Sequence, residues 1–203
     1  MIVKPKKENE MTKILHLDSS LKPEGSYSKQ LSAALVTKLD GDVTYRDLNT
    51  SQITPITGAH TGAFFTPADD RSAEQNALLD ESDKFLAELR DADIIVIGAA
   101  MYNYGIAASL KLYIDQIVRV GEAFVYTETG PKGLLENKKL YVVAATGGTP
   151  LGSPGDHLKP QLETVFNHIG ITDQTYISAS AGMNVDPDAT MAAALAEIDA
   201  LAA

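Results

Sequence analysis

Residues 101–105 of this chain, Met-Tyr-Asn-Tyr-Gly, place two aromatic rings around an amide at the end of an apolar run. Aromatic residues make up only 6% of the sequence, so two of them in one short segment form a candidate binding surface. Tyrosine rings can form the wall of a slot that takes a planar ligand. The amide of Asn103 can donate to and accept from the edge of a heteroaromatic ring. Ordinary core packing at a strand end is the other explanation of this pattern.

A second polar segment lies at residues 18–30, where the sequence is Asp-Ser-Ser-Leu-Lys-Pro-Glu-Gly-Ser-Tyr-Ser-Lys-Gln. Ser20, Ser26 and Ser28 supply hydroxyl groups beside the start of a predicted helix. The free N–H groups and the dipole of a helix start attract an anion. Neither the Gly-Lys-Ser/Thr of a triphosphate loop nor the G-x-G-x-x-G of a dinucleotide turn is present. The segment favours a monophosphate, with simple helix capping by one of the serines as the alternative.

A third candidate segment is the pair Gly147-Gly148, which follows another apolar run. Glycine lets the backbone come close to a ligand, although a single Gly-Gly pair is weak support for a site. Metal chemistry is not expected. The chain has no cysteine, and its histidines show no metal-ligand spacing.

The elements that must position these segments alternate between strand and helix patterns. Predicted strands cover 13–18, 43–48, 93–99, 139–145 and 174–179, and predicted helices cover 27–39, 72–90, 105–120, 158–169 and the chain from residue 187. A long polar connection is expected between the second strand and the second helix. Strands that are each followed by a helix predict an α/β fold with a doubly wound parallel sheet and helices on both faces. We expect one domain over residues 11–203, preceded by a disordered extension of residues 1–10.

The three candidate segments follow the first, third and fourth predicted strands. In a sheet of this kind, ligands bind beyond the carboxyl ends of the strands, at the point where the strand order reverses. A phosphate segment, an aromatic-amide segment and a glycine segment are therefore predicted to meet in one crevice. This combination favours flavin mononucleotide (FMN) as the ligand.

Composition narrows the possible partners. The net charge of −10 argues against nucleic acid, because phosphate contacts need clustered lysine and arginine. No apolar stretch approaches the roughly 20 residues that a membrane span requires. The absence of cysteine excludes a disulfide framework, and a cytoplasmic location is expected.

Residues 101–115 carry a more specific resemblance. The sequence Met-Tyr-Asn-Tyr followed by Gly-Ile-x-Ala-x-Leu-Lys-x-Tyr-Ile-Asp resembles the signature of FMN-dependent NADH:quinone oxidoreductases, also called FMN-dependent NADH-azoreductases. Residues 124–135 and 144–148 are similar to further segments of that family, and the resemblance extends from Met11 to the C-terminus. It implies a flavodoxin-like three-layer sandwich with strand order 2-1-3-4-5. It also implies a homodimer with one FMN per subunit and the active site near the subunit interface.

The resemblance assigns site residues. Phosphate contacts would come from Ser20, Ser26, Tyr27 and Ser28, and isoalloxazine contacts from Met101, Tyr102, Asn103, Tyr104, Ala145, Thr146, Gly147 and Gly148. Four positions depart from the family pattern: Tyr27 is often Gln, Tyr104 is usually Phe, and Ala145-Thr146 replaces the common Ser-Arg. Only backbone contacts are therefore implied at residues 145 and 146. Candidate walls for the electron acceptor are Phe64, Phe65, Tyr126 and His168, some of them from the partner subunit. The alternative is that the aromatic residues are ordinary loop anchors or dimer contacts and that His168 is a satisfied surface or core residue.

The implied reaction is a ping-pong transfer of hydride from NADH or NADPH to FMN and then to an acceptor. Quinones, azo compounds and other planar oxidants are the expected acceptors, and an azo bond needs two cycles to give two amines. No catalytic side chain is expected, because the flavin carries the chemistry. Two alternatives stay open: a flavodoxin-like FMN electron carrier that does not oxidise a nicotinamide, and an FMN or metal-ion reductase on the same fold.

Overall fold

The apolar run that precedes the two tyrosines forms the central strand of a parallel sheet. The computed structural model describes residues 11–180 and 186–201, so the extension predicted for residues 1–10 lies outside the described residues. The elements are Lys13–Asp18 (β1), Tyr27–Leu39 (α1), Asp42–Asp47 (β2), Gly58–Phe65 (α2), Ala73–Asp91 (α3), Ile94–Tyr102 (β3), Gly105–Ile106 (β4), Ala108–Ile117 (α4), Phe124–Thr127 (β5), Gly130–Gly133 (β6), Lys139–Ala145 (β7), Leu158–Ile169 (α5), Asp173–Ser178 (β8) and Pro187–Ala200 (α6).

The main sheet has the order β2-β1-β3-β7-β8, and all of its neighbouring strands run parallel. Because β7 and β8 are the fourth and fifth strands of the predicted set, this is the predicted order 2-1-3-4-5. The strand order reverses between β1 and β3, so the crevice of the sheet lies there.

Successive residues of the central strand face opposite sides of the sheet, as the pleat requires. Ile95 and Ile97 belong to a buried cluster that includes residues of α3, α4 and α5. Val96 belongs to a second cluster, built with residues of α1 and α6. Covering both faces of a parallel sheet with helices explains why its central strands are apolar at nearly every position. The predicted three-layer arrangement is confirmed.

The predicted polar connection after β2 contains a helix that the sequence pattern did not reveal. Helix α2 begins with a capping box in which Thr57 and His60 satisfy each other's backbone and side-chain groups. Ala63 and Phe64 of α2 are buried with Leu79 of α3. The capping box and the packing against α3 stabilise eight residues that have too little apolar periodicity to predict a helix.

Two other boundaries differ from prediction. The helix expected from residue 105 begins at Ala108, because Gly105 and Ile106 turn back and pair antiparallel with the end of β3. A loop was expected between residues 120 and 139, whereas β5 and β6 form a hairpin there. Gly133 at its end packs against the backbone of Gly170, where an added Cβ would lie 2.1 Å from the Gly170 nitrogen. The hairpin is thereby fixed to the end of α5.

Candidate functional site

The serine segment ends at the start of α1, and the structure leaves hydrogen-bond donors free there. Ser26 is the N-cap residue; its Oγ accepts from the Lys29 N–H at 3.4 Å and lies 3.2 Å from the Ser28 Oγ. The N–H groups of Tyr27 and Ser28 donate to no acceptor among the residues that the structure describes. Free N–H groups at the positive end of a helix dipole are the donors that an anion needs.

The three serines are buried, whereas the side chain of Tyr27 is only partly buried. Ser20, Ser26 and Ser28 have little or no exposed surface. The Tyr27 side chain is half-buried and packs against the apolar cluster between α1 and α6. Tyr27 thus contributes its ring to the core, while its backbone N–H stays free at the start of α1.

Polar contacts with residues at the end of β2 fix the position of the serine segment. The Lys29 ammonium lies 2.6 Å from the Asp47 carboxylate, and Asn49 donates to the Ser20 carbonyl at 2.7 Å. Burial alone would raise the pKa of Asp47, but hydrogen bonds from Lys29 and Asn49 outweigh it and lower that pKa below its usual value. The charge on Asp47 therefore helps to hold the start of α1 and the end of β2 together.

A buried carboxylate lies at the end of β1, directly before the serine segment. Asp18, at the end of β1, accepts hydrogen bonds from Ser32 at 3.0 Å and from Tyr45 at 3.1 Å. Partial burial and this carboxylate raise the pKa of the Tyr45 phenol. A Cβ added to Gly98 of β3 would lie 2.1 Å from the Asp18 Oδ1. The carboxylate therefore occupies the space that a side chain at position 98 would need.

The aromatic-amide segment is the two-residue turn of the β3–β4 hairpin. Asn103 has φ of 50° and Tyr104 has φ of 71°, and Tyr102 pairs with Gly105 on either side of them. Positive φ at both central residues is the pattern of a type I′ turn, which asparagine tolerates well. For tyrosine the left-handed conformation costs roughly 1–2 kcal/mol. Contacts outside the turn must therefore hold Tyr104 in place.

Two such contacts connect the turn to the neighbouring segments. The Leu21 N–H donates to the Tyr102 phenol oxygen at 2.9 Å, and the His157 N–H donates to the Tyr104 carbonyl at 3.0 Å. The Asn103 side chain is exposed and makes no hydrogen bond within the described part of the chain. The turn is thus fixed on both sides while its amide stays available to a ligand.

The glycine segment offers backbone donors rather than side chains. The Thr146 Oγ1 lies 2.7 Å from the Ser180 Oγ, so this buried hydroxyl is used within the protein. Ala145 packs against the α1–α6 cluster. Gly147 has φ of 60°, and the N–H groups of Gly147 and Gly148 have no acceptor among the described residues. The expectation of backbone contacts at this segment agrees with this geometry.

A groove of about 520 Å³ opens beside the turn. Its lining consists of Leu21, Tyr102, Asn103, Gly105, Ile106, Ala108, Lys111 and Gln161. Of these residues, the sequence predictions included only Tyr102 and Asn103. Leu21 lies within the serine segment, and the family-like segment 101–115 contains Gly105, Ile106, Ala108 and Lys111, whereas nothing in the sequence marks Gln161. Lys111 forms an ion pair with Asp115 at 2.5 Å, so its charge is partly neutralised.

The four candidate acceptor residues do not line this groove. Phe64 is buried with its ring 5.2 Å from the Arg119 guanidinium, whereas Phe65 is exposed. The His168 ring packs against Phe124 with centroids 4.2 Å apart, and the exposed Tyr126 ring meets Phe124 edge-on with centroids 5.4 Å apart.

The position of His168 on α5 separates it from the groove. It is seven residues beyond Gln161 on the same helix, which places it about 10 Å further along the axis.

Within the residues that are described, no group of three or more metal-ligating side chains occurs, and no helix is both long and apolar enough to cross a bilayer.

The strand order and the free N–H donors at the start of α1 define a flavodoxin-like protein. Comparison with known proteins supports this class: a family model described as flavodoxin-like fold matches residues 12–202. An FMN-dependent NADH:quinone oxidoreductase of Jannaschia sp. (strain CCS1) is 48% identical over 193 residues, which cover 95% of this chain and 100% of that protein. This chain belongs to the family of FMN-dependent NADH:quinone oxidoreductases, as the sequence predicted.

Solved structures agree on the fold. An azoreductase from Bacillus anthracis str. Sterne superposes with a TM-score of 0.83 at 25% identity, covering 93% of this chain and 97% of that one. An FMN-dependent NADH-azoreductase from Bacillus anthracis str. Ames Ancestor, in complex with FMN, gives a TM-score of 0.81 at 23% identity, covering 93% and 96% of the two chains.

Proposed function

We propose that this chain is an FMN-dependent NADH:quinone oxidoreductase that also cleaves aromatic azo compounds reductively to amines. The observation that carries the proposal is the set of free backbone donors at one edge of the sheet. They belong to the start of α1 and to the glycine segment, with the turn at Asn103 between these segments. A phosphate and a polar ring edge, joined in one ligand, would satisfy both groups of donors.

The residues would hold FMN as follows. The N–H groups of Tyr27 and Ser28, with the hydroxyls of Ser20, Ser26 and Ser28, would bind the phosphate. Asn103 and the glycine N–H groups would bind the polar edge of the ring, with Tyr102 and Met101 beside it. When bound, FMN supplies two-electron transfer between a nicotinamide and an acceptor. The protein's part is to orient the ring and to shield it from bulk water.

The groove beside the turn would receive the nicotinamide and the acceptor in succession, which is a ping-pong sequence. Its lining is largely apolar and includes Tyr102 and Ile106. A largely apolar groove with few polar groups suits planar quinones and azo compounds. Lys111 is the one lysine or arginine in this lining, and its pairing with Asp115 favours NADH over NADPH, since a 2′-phosphate would compete with that carboxylate.

We further propose that two copies of the chain form the active unit. Tyr126 and His168 lie together on Phe124 and away from the groove of their own chain. In a dimer they would contact an acceptor in the groove of the second copy. Size-exclusion chromatography with light scattering tests the dimer. Tyr126→Ala should raise the KM for a quinone in such a dimer, while FMN affinity stays the same.

Anaerobic mixing of the FMN-loaded protein with NADH tests the proposed activity. Prompt bleaching of the flavin absorbance, followed by recovery on addition of a quinone, is the expected result. A yellow protein that NADH does not bleach would be an electron carrier instead. Bleaching without recovery on quinone, but with recovery on ferric iron or release of reduced FMN, would indicate a metal-ion or FMN reductase. Parallel runs with NADPH and an azo dye establish the finer specificity.

A further inference from the structure

The start of α5 is built differently from the start of α1, although both lie at the same edge of the sheet. The residue that precedes the first turn of α5 is His157, which already has a helical backbone conformation and whose side chain makes no capping hydrogen bond. The preceding residue, Asp156, takes over that role and is only 3% exposed. Its Oδ1 accepts from the N–H groups of Leu158 at 2.9 Å and Lys159 at 3.0 Å.

The other carboxylate oxygen holds the loop that leads to the helix. Asp156 Oδ2 accepts from the Gly152 N–H at 2.8 Å, and the Asp156 N–H itself donates to the Ser153 carbonyl at 2.9 Å. One buried carboxylate therefore connects the end of the glycine-segment loop to the first turn of α5. Hydrogen bonds to an ionised acceptor are shorter and stronger than those between neutral groups.

This arrangement determines where the His157 N–H points. It donates to the Tyr104 carbonyl at 3.0 Å, and Tyr104 is the residue held at φ of 71°. Gly155 lies against the Tyr104 ring, where an added Cβ would be 3.6 Å from the Cδ1. The strained turn thus rests on the segment that Asp156 fixes.

All of the first donors of α5 are used in this way. His157 donates to Tyr104, Leu158 and Lys159 donate to Asp156, and Pro160 has no N–H. The start of α5 cannot bind an anion with these groups as they stand. It acts as a support for the turn, in contrast to the free donors at the start of α1.

We propose that Asp156 is a positioning residue of the flavin site, which acts through His157 to hold the Asn103–Tyr104 turn in its ring-binding conformation. The inference rests on the proposed function only in taking FMN as the ligand of that turn. It explains how a tyrosine keeps a left-handed backbone without a glycine: the surrounding structure fixes the carbonyl that the turn presents.

Binding of FMN to the purified apoprotein tests the proposal, with flavin fluorescence giving the Kd and visible circular dichroism reporting the surroundings of the ring. Asp156→Ala should raise the Kd about tenfold, the effect of losing hydrogen bonds to a charged group. The visible dichroism of the bound flavin should change as well. Asp156→Asn keeps one acceptor oxygen and should lie between Asp156→Ala and the wild type on both measures.

Asp186→Ala is the matched control, because Asp186 caps α6 through the Asp188 N–H. It should lower stability without changing the Kd or the dichroism. If Asp156→Ala behaves like this control, Asp156 is only a helix cap and the proposal is wrong. If Asp156→Ala does not fold, Asp156→Asn decides, and a wild-type spectrum in that variant overturns the proposal. Failure of the wild-type apoprotein to bind FMN would instead contradict the proposed function.

Discussion

The Leu21 N–H donates a hydrogen bond to the phenol oxygen of Tyr102 at 2.9 Å, joining residues that are 81 positions apart in the chain. The bond connects the serine segment to the aromatic-amide turn. Tyr102 was predicted to offer its ring to a ligand. Its hydroxyl has a second role, because it fixes the distance between the segment expected to hold the phosphate and the segment expected to hold the ring.

Tyr102→Phe should therefore weaken FMN binding although the ring is kept. The lost acceptor leaves the Leu21 N–H without a partner in the protein, a loss of about 0.5–1.5 kcal/mol, or roughly two- to twelvefold in Kd. Fluorescence titration measures the change. Tyr176→Phe, which removes a hydroxyl bonded to Gln174 at 2.9 Å, is the control and should bind FMN normally. Equal affinities in the two variants would contradict the role given to Tyr102.

Ser26→Ala should reduce both stability and flavin affinity. Ser26 caps α1 and lies in the proposed phosphate site, and loss of a cap costs about 1 kcal/mol of unfolding free energy. Ser72→Ala removes the corresponding cap of α3, where Ser72 accepts from the Gln75 N–H at 3.2 Å. In urea denaturation this control should lose a similar amount of unfolding free energy, while its Kd for FMN stays unchanged. A wild-type Kd for FMN in Ser26→Ala would contradict the assignment of Ser26 to the phosphate site.

Two substitutions at Asn103 separate the amide from the backbone conformation. Asn103→Gly keeps the left-handed turn at no steric cost but removes the amide, so the Kd for FMN should rise with little change in stability. Asn103→Ala should show the same loss of affinity and an additional destabilisation of about 1 kcal/mol from its strained φ. Thermal denaturation and flavin titration measure the two effects. Normal FMN affinity in Asn103→Gly would argue against a ligand contact by the amide.

Gly98→Ala should destabilise the protein by about 1–3 kcal/mol, the usual cost of overpacking. The added Cβ would lie 2.1 Å from the Asp18 Oδ1 and 2.9 Å from the Ser32 Oγ. Gly62→Ala is a control with the opposite sign. Nothing lies within 4 Å of a Cβ added there, inside α2, and alanine favours a helix interior by roughly 0.5–1 kcal/mol. Urea denaturation distinguishes the two, and a neutral Gly98→Ala would show that β1 and β3 can separate.

Stability should depend on pH through Asp47, whose pKa is lowered in the folded protein. A lowered pKa means that the charged carboxylate stabilises the fold at neutral pH. This contribution is complete above the usual pKa of 3.8 and is lost as pH falls through the lowered value.

The measurement is the difference in unfolding free energy between wild type and Asp47→Asn, which should shrink steadily as pH falls below about 4. Asp173→Asn removes an exposed acid 3.9 Å from Lys139 and should differ little from wild type at any pH. A difference for Asp47→Asn that does not change with pH would contradict this account.

The parallel sheet and the three candidate segments could be predicted because their signals are local, whereas the strand order 2-1-3-4-5 was implied by the family resemblance of residues 101–115. The apolar run 94–100 must be buried on both faces, and it is followed directly by the aromatic-amide turn. Because each ligand segment follows a parallel strand, the topology of the sheet alone brings the three to one edge. The place of Ser26 at the start of a helix was also predicted correctly, because a helix start depends on neighbouring residues.

Helix α2 and the two hairpins could not be predicted in this way. Their stability comes from contacts between distant parts of the chain, such as Gly133 against Gly170 and Ala63 against Leu79. The expected roles of Phe64 and His168 depended on such contacts as well. One packs on Arg119 and the other on Phe124, neighbours that no spacing in the sequence indicates.

The amino-acid sequence by itself determined the class of fold, the family and the segments proposed to face the ligand, because these depend on hydrophobic periodicity and on residue types close together in the chain. Only the tertiary structure decided which groups are left free for a ligand. The starts of α1 and α5 both offer N–H donors at the same edge. The donors of α5 are satisfied by Asp156 and Tyr104, whereas those of Tyr27 and Ser28 are not. Hydrogen-bond satisfaction depends on distances of about 3 Å between residues far apart in sequence, and folding alone sets those distances.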